Sequence, residues 1–134
     1  MKRDMELIRD ILLKAEELAA EGGRIEIEER THKEVNYHIF LMAQNGLILF
    51  WPPTRSVRDE PGSAMSLNEV LSTDTSLRIV GLTWAGHEFL DTARDTGTWR
   101  KALTRSGGGA ASASFEVVKA VLIDEAKRRF GLSP

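Results

Sequence analysis

Apolar positions recur at helical spacing from residue 31 to about residue 45, and a continuous apolar run over residues 47–50 follows directly. Thr31 and Glu34 have the spacing of a capping box, in which each side chain satisfies a free amide of the first helical turn. Gly46 can adopt the left-handed conformation that ends a helix. The pattern therefore predicts a capped helix that leads straight into a short strand.

The chain before this helix shows two other patterns. Residues 4–20 carry an apolar face at helical spacing, which predicts an N-terminal helix that a pair of glycines ends. Residues 24–29 alternate polar and apolar side chains. This alternation predicts a half-buried strand with Ile25 and Ile27 facing inward.

A second strand over residues 77–82 is the predicted partner of the apolar run 47–50. Residues 51–76 separate the two strands, and this insertion is far longer than an ordinary hairpin loop. Ser66 begins a second capping-box pattern within the insertion, so we expect a short helix over residues 66–71. The segment as a whole is predicted to form a long wing.

Helices dominate the predicted C-terminal part of the chain. The pattern indicates one helix over residues 84–94 and a shorter helical segment over residues 98–103, with Gly97 as an interruption. Residues 106–113 are rich in glycine, alanine and serine and are typical of a linker. A final helix is predicted over residues 114–131.

The order of these elements predicts an α+β, mostly helical fold. It corresponds to a single winged helix-turn-helix-like domain over residues 1–134, with a long wing and extra C-terminal helices. A standard winged helix places another helix between its first strand and the helix that contacts DNA. Only residues 28–30 are available here, so we expect that helix to be missing or reduced to a turn.

The composition is that of an ordinary globular chain, with 134 residues, 42% hydrophobic and 28% charged, and no cysteine. The absence of cysteine excludes disulfides, thiolate zinc sites and a cysteine nucleophile. No apolar run approaches the ~20 residues that span a bilayer, and the charged N-terminus does not resemble a signal peptide. We therefore expect a cytoplasmic protein without membrane contact.

No residue pattern indicates catalysis. His87, Glu88 and Asp91 lie on one predicted helical turn, but a zinc-binding helix motif needs a second histidine four residues from the first. The chain lacks a Ser-His-Asp order and a glycine-rich phosphate loop. We therefore predict no enzyme activity, no metal site and no cofactor. His38 is expected at the edge of the core, with its ring bonded to the backbone.

The predicted helix over residues 31–45 carries the candidate binding residues. Its outward half presents Lys33, Asn36, Tyr37, Phe40 and Gln44. Lysine suits a phosphate, and asparagine and glutamine suit the edge of adenine in a major groove. Phe40 in the middle of this face favours packing instead. The sequence leaves three options for what this face contacts: double-stranded DNA, a partner protein or the rest of the chain.

Two arginines in the predicted wing are a second group of candidate binding residues. Arg55 and Arg58 occupy positions where wings commonly contact the DNA backbone, although Asp59 and Glu60 follow directly. The alternative to a phosphate contact is a solvated loop. The net charge of −2 also weakens the case for nucleic-acid binding, because phosphate contacts require cations.

The final predicted helix is apolar on two sides of its first half, and such a helix needs two burial partners. One partner is the body of the chain, and the other can be the equivalent helix of a second copy. We therefore consider a homodimer possible, and its predicted interface comprises Phe115, Val117, Val118, Val121 and Leu122.

Several segments resemble a known bacterial family. They are MKRDMELIRDILL at the N-terminus, EVNYHIFLMAQNGLI in the centre, and LTWAGHEFLDTARD with Trp99 and SFEVVKAVL in the C-terminal part. Together they are similar to the prophage-associated family called domain of unknown function 2513, from Met1 to about Leu132. The long insertion 51–76 and Gly97 depart from the usual pattern of that family.

The resemblance implies a winged-helix fold that is often encoded in mobile elements, and it implies no established activity. Combined with the residue pattern, it gives a first functional hypothesis: a phage- or mobile-element-associated protein that binds DNA or regulates transcription. The alternative is a protein–protein interaction module, with a phage-host or phage-defence partner, on a winged-helix scaffold that no longer binds DNA.

Overall fold

The computed structural model describes residues 2–51, 67–73, 75–106 and 114–129. The described residues form six helices and three strands in an α+β, mostly helical arrangement, as predicted. In chain order they are α1 (Met5–Glu16), β1 (Gly23–Arg24), α2 (His32–Gln44), β2 (Ile48–Phe50), α3 (Leu67–Leu71), β3 (Arg78–Leu82), α4 (Trp84–Ala93), α5 (Thr96–Arg105) and α6 (Phe115–Arg129).

The three strands form one antiparallel sheet in the order β1-β3-β2. Ile48 lies opposite Leu82, and Leu49 lies opposite Gly81. An irregularity follows Leu49, so the next pair joins Phe50 to Ile79. The predicted pairing of residues 47–50 with residues 77–82 is therefore confirmed.

The predicted cap and stop of α2 are also confirmed. The Thr31 hydroxyl accepts a hydrogen bond from the Glu34 N–H at 3.1 Å. The Glu34 carboxylate in turn accepts one from the backbone N–H of Thr31. Gly46 has a φ of 72° just after the helix. This left-handed conformation suits glycine, so the chain can leave α2 and enter β2 within three residues.

The first strand is shorter than predicted. The alternation over residues 24–29 indicated a strand of that length, but β1 pairs with β3 over only two residues. Ile25 is buried as expected, whereas Ile27 is half-buried. The backbone turns at Glu29, whose φ is 64°, and this turn leads the chain into α2 instead of along the sheet. The N-terminal helix is also shorter, because α1 ends at Glu16.

The break between α4 and α5 lies before Gly97. Asp95 is extended and its carboxylate accepts the Thr98 N–H at 2.8 Å, so it caps α5. Gly97 lies inside the first turn of that helix. The expected interruption at Gly97 is therefore wrong, because a side-chain cap at Asp95 starts the new helix two residues earlier.

An arginine and a tryptophan join α1 to the C-terminal helices. The Arg9 guanidinium donates to the carbonyls of Ala93 and Arg94 at 2.7 and 2.9 Å, and it lies 5.8 Å from the centre of the Trp99 ring. The indole N–H of Trp99 donates to Glu6 at 2.9 Å. Arg9 thereby satisfies carbonyls at the end of α4 that have no partner within the helix.

Helix α6 packs against α4 and α5. Phe115, Val118 and Leu122 are buried within the chain, and the Phe115 ring lies 5.0 Å from that of Phe89. Among the predicted dimer residues, Val121 packs partly against the core and Val117 is exposed. Three of the five predicted contact positions are therefore already covered by the chain itself.

Membrane insertion makes a specific demand on a helix, which must be both long and apolar. None of the helices in the described part of the chain meets this demand.

Candidate functional site

Helix α2 presents one continuous outward surface, which we call the exposed stripe. It comprises Lys33, Tyr37, Leu41 and Gln44, which recur at helical spacing. Lys33 and Gln44 are exposed, whereas Tyr37 and Leu41 are half-buried. The stripe therefore combines a cation and an amide with a phenol and an aliphatic side chain. The sequence predicted Lys33, Tyr37 and Gln44 as part of one group, and the structure adds Leu41 to them.

Asn36 does not belong to this surface. Its side chain is completely buried, its amide N–H donates to the Thr75 carbonyl at 3.0 Å, and its oxygen accepts the Leu77 N–H at 2.9 Å. The prediction that Asn36 faces outward is therefore wrong. The segment that leads into β3 folds against α2, and its backbone forms hydrogen bonds with both polar groups of the Asn36 side chain.

Packing within the chain also reduces the exposed surface of α2 on the side that contacts α3. Helix α3 packs against α2, and Val70 of α3 is completely buried. Phe40 is half-buried and packs against the core. Intramolecular packing, one of the three options left open by the sequence, thus accounts for much of the Phe40 surface.

A polar network fixes the start of α1 against α2. The Asp4 carboxylate lies 2.8 Å from the Arg30 guanidinium, and Arg30 also reaches Glu34 at 3.2 Å. The Asp4 N–H donates to Nε2 of His38 at 2.8 Å. The other ring nitrogen of His38 lies 2.7 Å from the Glu34 carbonyl. His38 is thus bonded to the backbone, as predicted.

Burial and ion pairing determine the protonation of this network. Burial disfavours the imidazolium form and lowers the pKa of His38. Burial also opposes ionisation of Asp4, but the hydrogen bond and the charge of Arg30 prevail, so the pKa of Asp4 is lowered. Neutral histidine and ionised aspartate are the forms that the observed bonds require.

A second candidate surface lies at the start of α4. The Trp84 side chain is 81% exposed, and its indole N–H donates to Glu88 at 2.6 Å. Asp91, one of the residues considered for a metal, pairs with Arg94 at 3.2 Å. Across the described part of the chain, no three His, Cys, Asp or Glu side chains are placed to hold a metal ion.

A groove of about 520 Å³ separates α1 from the segment after β1, and we call it the acidic groove. Its lining residues are Asp10, Leu13, Lys14, Glu17, Glu26, Ile27, Glu28 and Glu29. Burial, together with the nearby charge of Glu6, raises the pKa of Asp10. The sequence pattern gave no signal for this groove, because it joins residues from two separate segments.

The wing candidates Arg55 and Arg58 lie outside the described residues. The structure therefore brings together Lys33, Tyr37 and Gln44 from the predicted site, and it removes Asn36 from the exposed set.

The family model described as "Hypothetical protein (DUF2513)" matches residues 2–110 of the chain. The chain belongs to this family. The DUF2513 match spans α1 through α5, so it includes the exposed stripe and Trp84, whereas α6 lies beyond it.

A protein of Haemophilus influenzae with the name "Uncharacterized protein" is 33% identical to the DUF2513 chain over 124 residues. The alignment covers 90% of this chain and 92% of that protein, so the likeness extends over nearly the whole length of both. No solved structure matches the chain.

Proposed function

We propose that this chain is a small winged-helix-like protein of phage or mobile-element origin that binds double-stranded DNA and regulates transcription. The observation that carries the proposal is the exposed stripe of α2, beside a two-stranded β2–β3 unit. This stripe offers a phosphate-binding cation and base-reading or backbone-binding polar groups on one helical face.

The topology supports this proposal. A winged helix has its first strand between two helices and next to the third strand, with the second strand at the opposite edge. Here β1 lies between α1 and α2 in the chain, and the sheet order is β1-β3-β2. Residues 51–77 connect β2 to β3, which is the position of a wing.

The polar content of the stripe determines what it can recognise. Lys33 is exposed at the start of α2, and Gln44 is exposed at its end, roughly 16 Å away at 1.5 Å per residue. A helix in a major groove can place one end near the phosphates and the next turns near the base edges. The half-buried Tyr37 lies between them and can contact a backbone or a base.

The experiment is a fluorescence-anisotropy titration of the full chain with duplex DNA of mixed sequence at several salt concentrations. We expect binding at ~50 mM salt that weakens as salt rises, because cations released from the phosphates drive association. Lys33→Ala should weaken binding to all sequences and flatten the slope of log K against log salt by about 0.9.

Lys119→Ala is the matched control, because Lys119 is an exposed lysine on α6, a helix that packs against α4 and α5. It should leave both the affinity and the salt slope unchanged. An absence of duplex binding by the wild type at ~50 mM salt would refute the proposal.

The exposed indole of Trp84 favours a second candidate function, a protein–protein interaction module. Tryptophan is enriched among the residues that dominate binding energy at protein interfaces. Trp84→Ala should abolish cross-linking to a protein partner that Lys119→Ala retains. Equal cross-linking by the two variants would exclude Trp84 as the contact.

A further inference from the structure

Helix α6 exposes apolar side chains on the side that the core does not use. Phe115, Val118 and Leu122 are buried on the inner side of the helix, which packs against α4 and α5. On the opposite side, Ala120 is exposed and Ile123 is 41% exposed. Burial within the chain therefore accounts for the inner side of α6 but not for these two residues.

The two apolar residues belong to a longer row, which we call the outer face. It comprises Glu116, Ala120, Ile123 and Lys127, all of them exposed. At 100° per residue, their spacings of four, three and four positions place them within about 60° of one another around the helix. The row extends for about 16 Å along the helix axis. It is therefore a straight, narrow surface with the geometry of a helix–helix contact.

The outer face has charges of opposite sign at its two ends. Among the described residues, neither Glu116 nor Lys127 forms an ion pair or a side-chain hydrogen bond. Asp124 differs in this respect, because it pairs with Arg105 and with Arg128. The charges at the ends of the outer face are therefore available to another molecule.

The charged side chains that border the outer face lie well to either side of it. Lys119 and Asp124 are each about 70° from its centre around the helix, on opposite sides. Since Asp124 is already paired within the chain, its charge is offset locally. The contact chemistry of the outer face is therefore determined by its own four residues.

The order of these residues makes the outer face complementary to itself. The four positions are symmetric about the point between residues 121 and 122. If two copies of α6 pack antiparallel about a two-fold axis at that point, Glu116 of each copy meets Lys127 of the other, and Ala120 meets Ile123. A two-fold contact requires this kind of self-complementary surface. A parallel pair would instead place Glu116 against Glu116 and Lys127 against Lys127.

We infer that the outer face of α6 binds the same face of a second copy of this chain, with the two helices antiparallel. This contact lies on the opposite side of α6 from Phe115, Val118 and Leu122, so it requires no opening of the core. The small apolar centre supplies the buried surface, and the charges at the ends determine orientation and register. The inference is independent of DNA binding.

The first test is sedimentation equilibrium of the full chain at concentrations up to ~1 mM, because small contacts of this kind are weak. We expect a monomer–dimer equilibrium for the wild type. Ile123→Glu should abolish the dimer, since it places a carboxylate in the apolar centre. Glu116→Lys and Lys127→Glu should each raise the dimer dissociation constant roughly tenfold or more, because both ion pairs of the dimer become contacts between like charges.

The second test mixes the two charge variants. A chain with Glu116→Lys carries two cations on its outer face, and a chain with Lys127→Glu carries two carboxylates. Each should be weakened alone, but an equimolar mixture should form a one-to-one dimer in which both ion pairs are restored. The double variant Glu116→Lys/Lys127→Glu should likewise regain the wild-type dissociation constant.

Lys2→Glu is the matched control, because it makes the same change of charge as Lys127→Glu at an exposed position near the N-terminus. It should leave the dissociation constant unchanged. A wild type that is monomeric at ~1 mM rejects the inference. A wild-type dimer that Ile123→Glu leaves intact, or charge variants that do not combine when mixed, would equally overturn it. The substituted side chains are exposed, so all variants test the contact without disturbing the core.

Discussion

Asn36 and His38 show how single polar residues determine which parts of α2 face solvent. Both are buried, and each forms two hydrogen bonds to distant or preceding backbone groups. Among the described residues, no buried side-chain nitrogen or oxygen lacks a partner. Because an unpaired polar group in the core is costly, these two residues fix their neighbours in one arrangement.

Asn36→Ala should destabilise the chain by about 1–3 kcal/mol, because the N–H of Leu77 and the carbonyl of Thr75 lose their partner. Urea denaturation measures this difference. Gln44→Ala on the same helix is the control, since Gln44 is exposed and its removal should change stability by less than about 0.5 kcal/mol. Equal destabilisation by the two variants would contradict the assigned role.

The lowered pKa of His38 predicts a pH dependence of stability. The unfolded histidine binds a proton more tightly than the folded one, so the contribution is fully present above the unfolded pKa of about 6.5. It is lost as the pH falls from there toward the lower folded pKa. One such group changes the free energy of unfolding by at most about 1.4 kcal/mol per pH unit.

Urea denaturation at several pH values between 7.5 and 5 checks this prediction. The wild type should lose more stability over this range than His38→Gln, which cannot titrate. A constant difference between the two proteins across the range would show that His38 is not the group responsible.

At the scale of elements, the close approach of α4 to the α2–β2 connection depends on one glycine. A Cβ atom at Gly86 would lie 2.0 Å from the Leu47 carbonyl oxygen. Because this oxygen belongs to the backbone, it can move away only if the chain itself shifts. The N–H of Thr83 also donates to that carbonyl at 3.1 Å. The first turn of α4 is therefore seated directly on the chain that enters β2.

Gly86→Ala should destabilise the chain by more than 2 kcal/mol, roughly the scale of severe core overpacking, because α4 must shift away from β2. Gly97→Ala is the matched control. A Cβ at Gly97 would meet only the Asp95 carboxylate at an ordinary 3.4 Å, and alanine favours a helix by ~0.5–1 kcal/mol. Thermal unfolding of both variants tests the contrast, and a neutral Gly86→Ala would contradict the close contact between Gly86 and Leu47.

Much of the element pattern could be predicted from local signals. The cap of α2, its stop at Gly46 and the β2–β3 pairing follow from residue types and spacing that hold in any context. The strand over residues 24–29 could not be predicted correctly. Its alternation was real, but pairing with β3 ends at Arg24, and the chain then turns at Glu29 towards α2.

At the scale of the whole molecule, α6 completes the core. Leu122 is completely buried against the rest of the chain, whereas Val117 on the same helix is 45% exposed. Leu122→Ala should therefore cost about 2–5 kcal/mol of stability through loss of buried apolar contact and formation of a cavity. Val117→Ala should cost much less.

Urea denaturation and light scattering on the two variants separate a core role from an interface role. We expect Leu122→Ala to unfold at lower urea without a change in the mass of the folded species. A dimeric wild type that Leu122→Ala converts to a folded monomer would instead assign Leu122 to a subunit interface.

Local patterning determined the helices, the caps and the apolar faces, because these depend on residues within a few positions of one another. It also identified the part of α2 that carries Lys33, Tyr37 and Gln44. Tertiary structure alone decided that Asn36 is buried, since its partners lie 39 and 41 residues away. It likewise joined the start of α1 to α2 through the bond from the Asp4 N–H to His38, which spans 34 residues. No local spacing encodes such contacts, because they form only when distant segments share one surface.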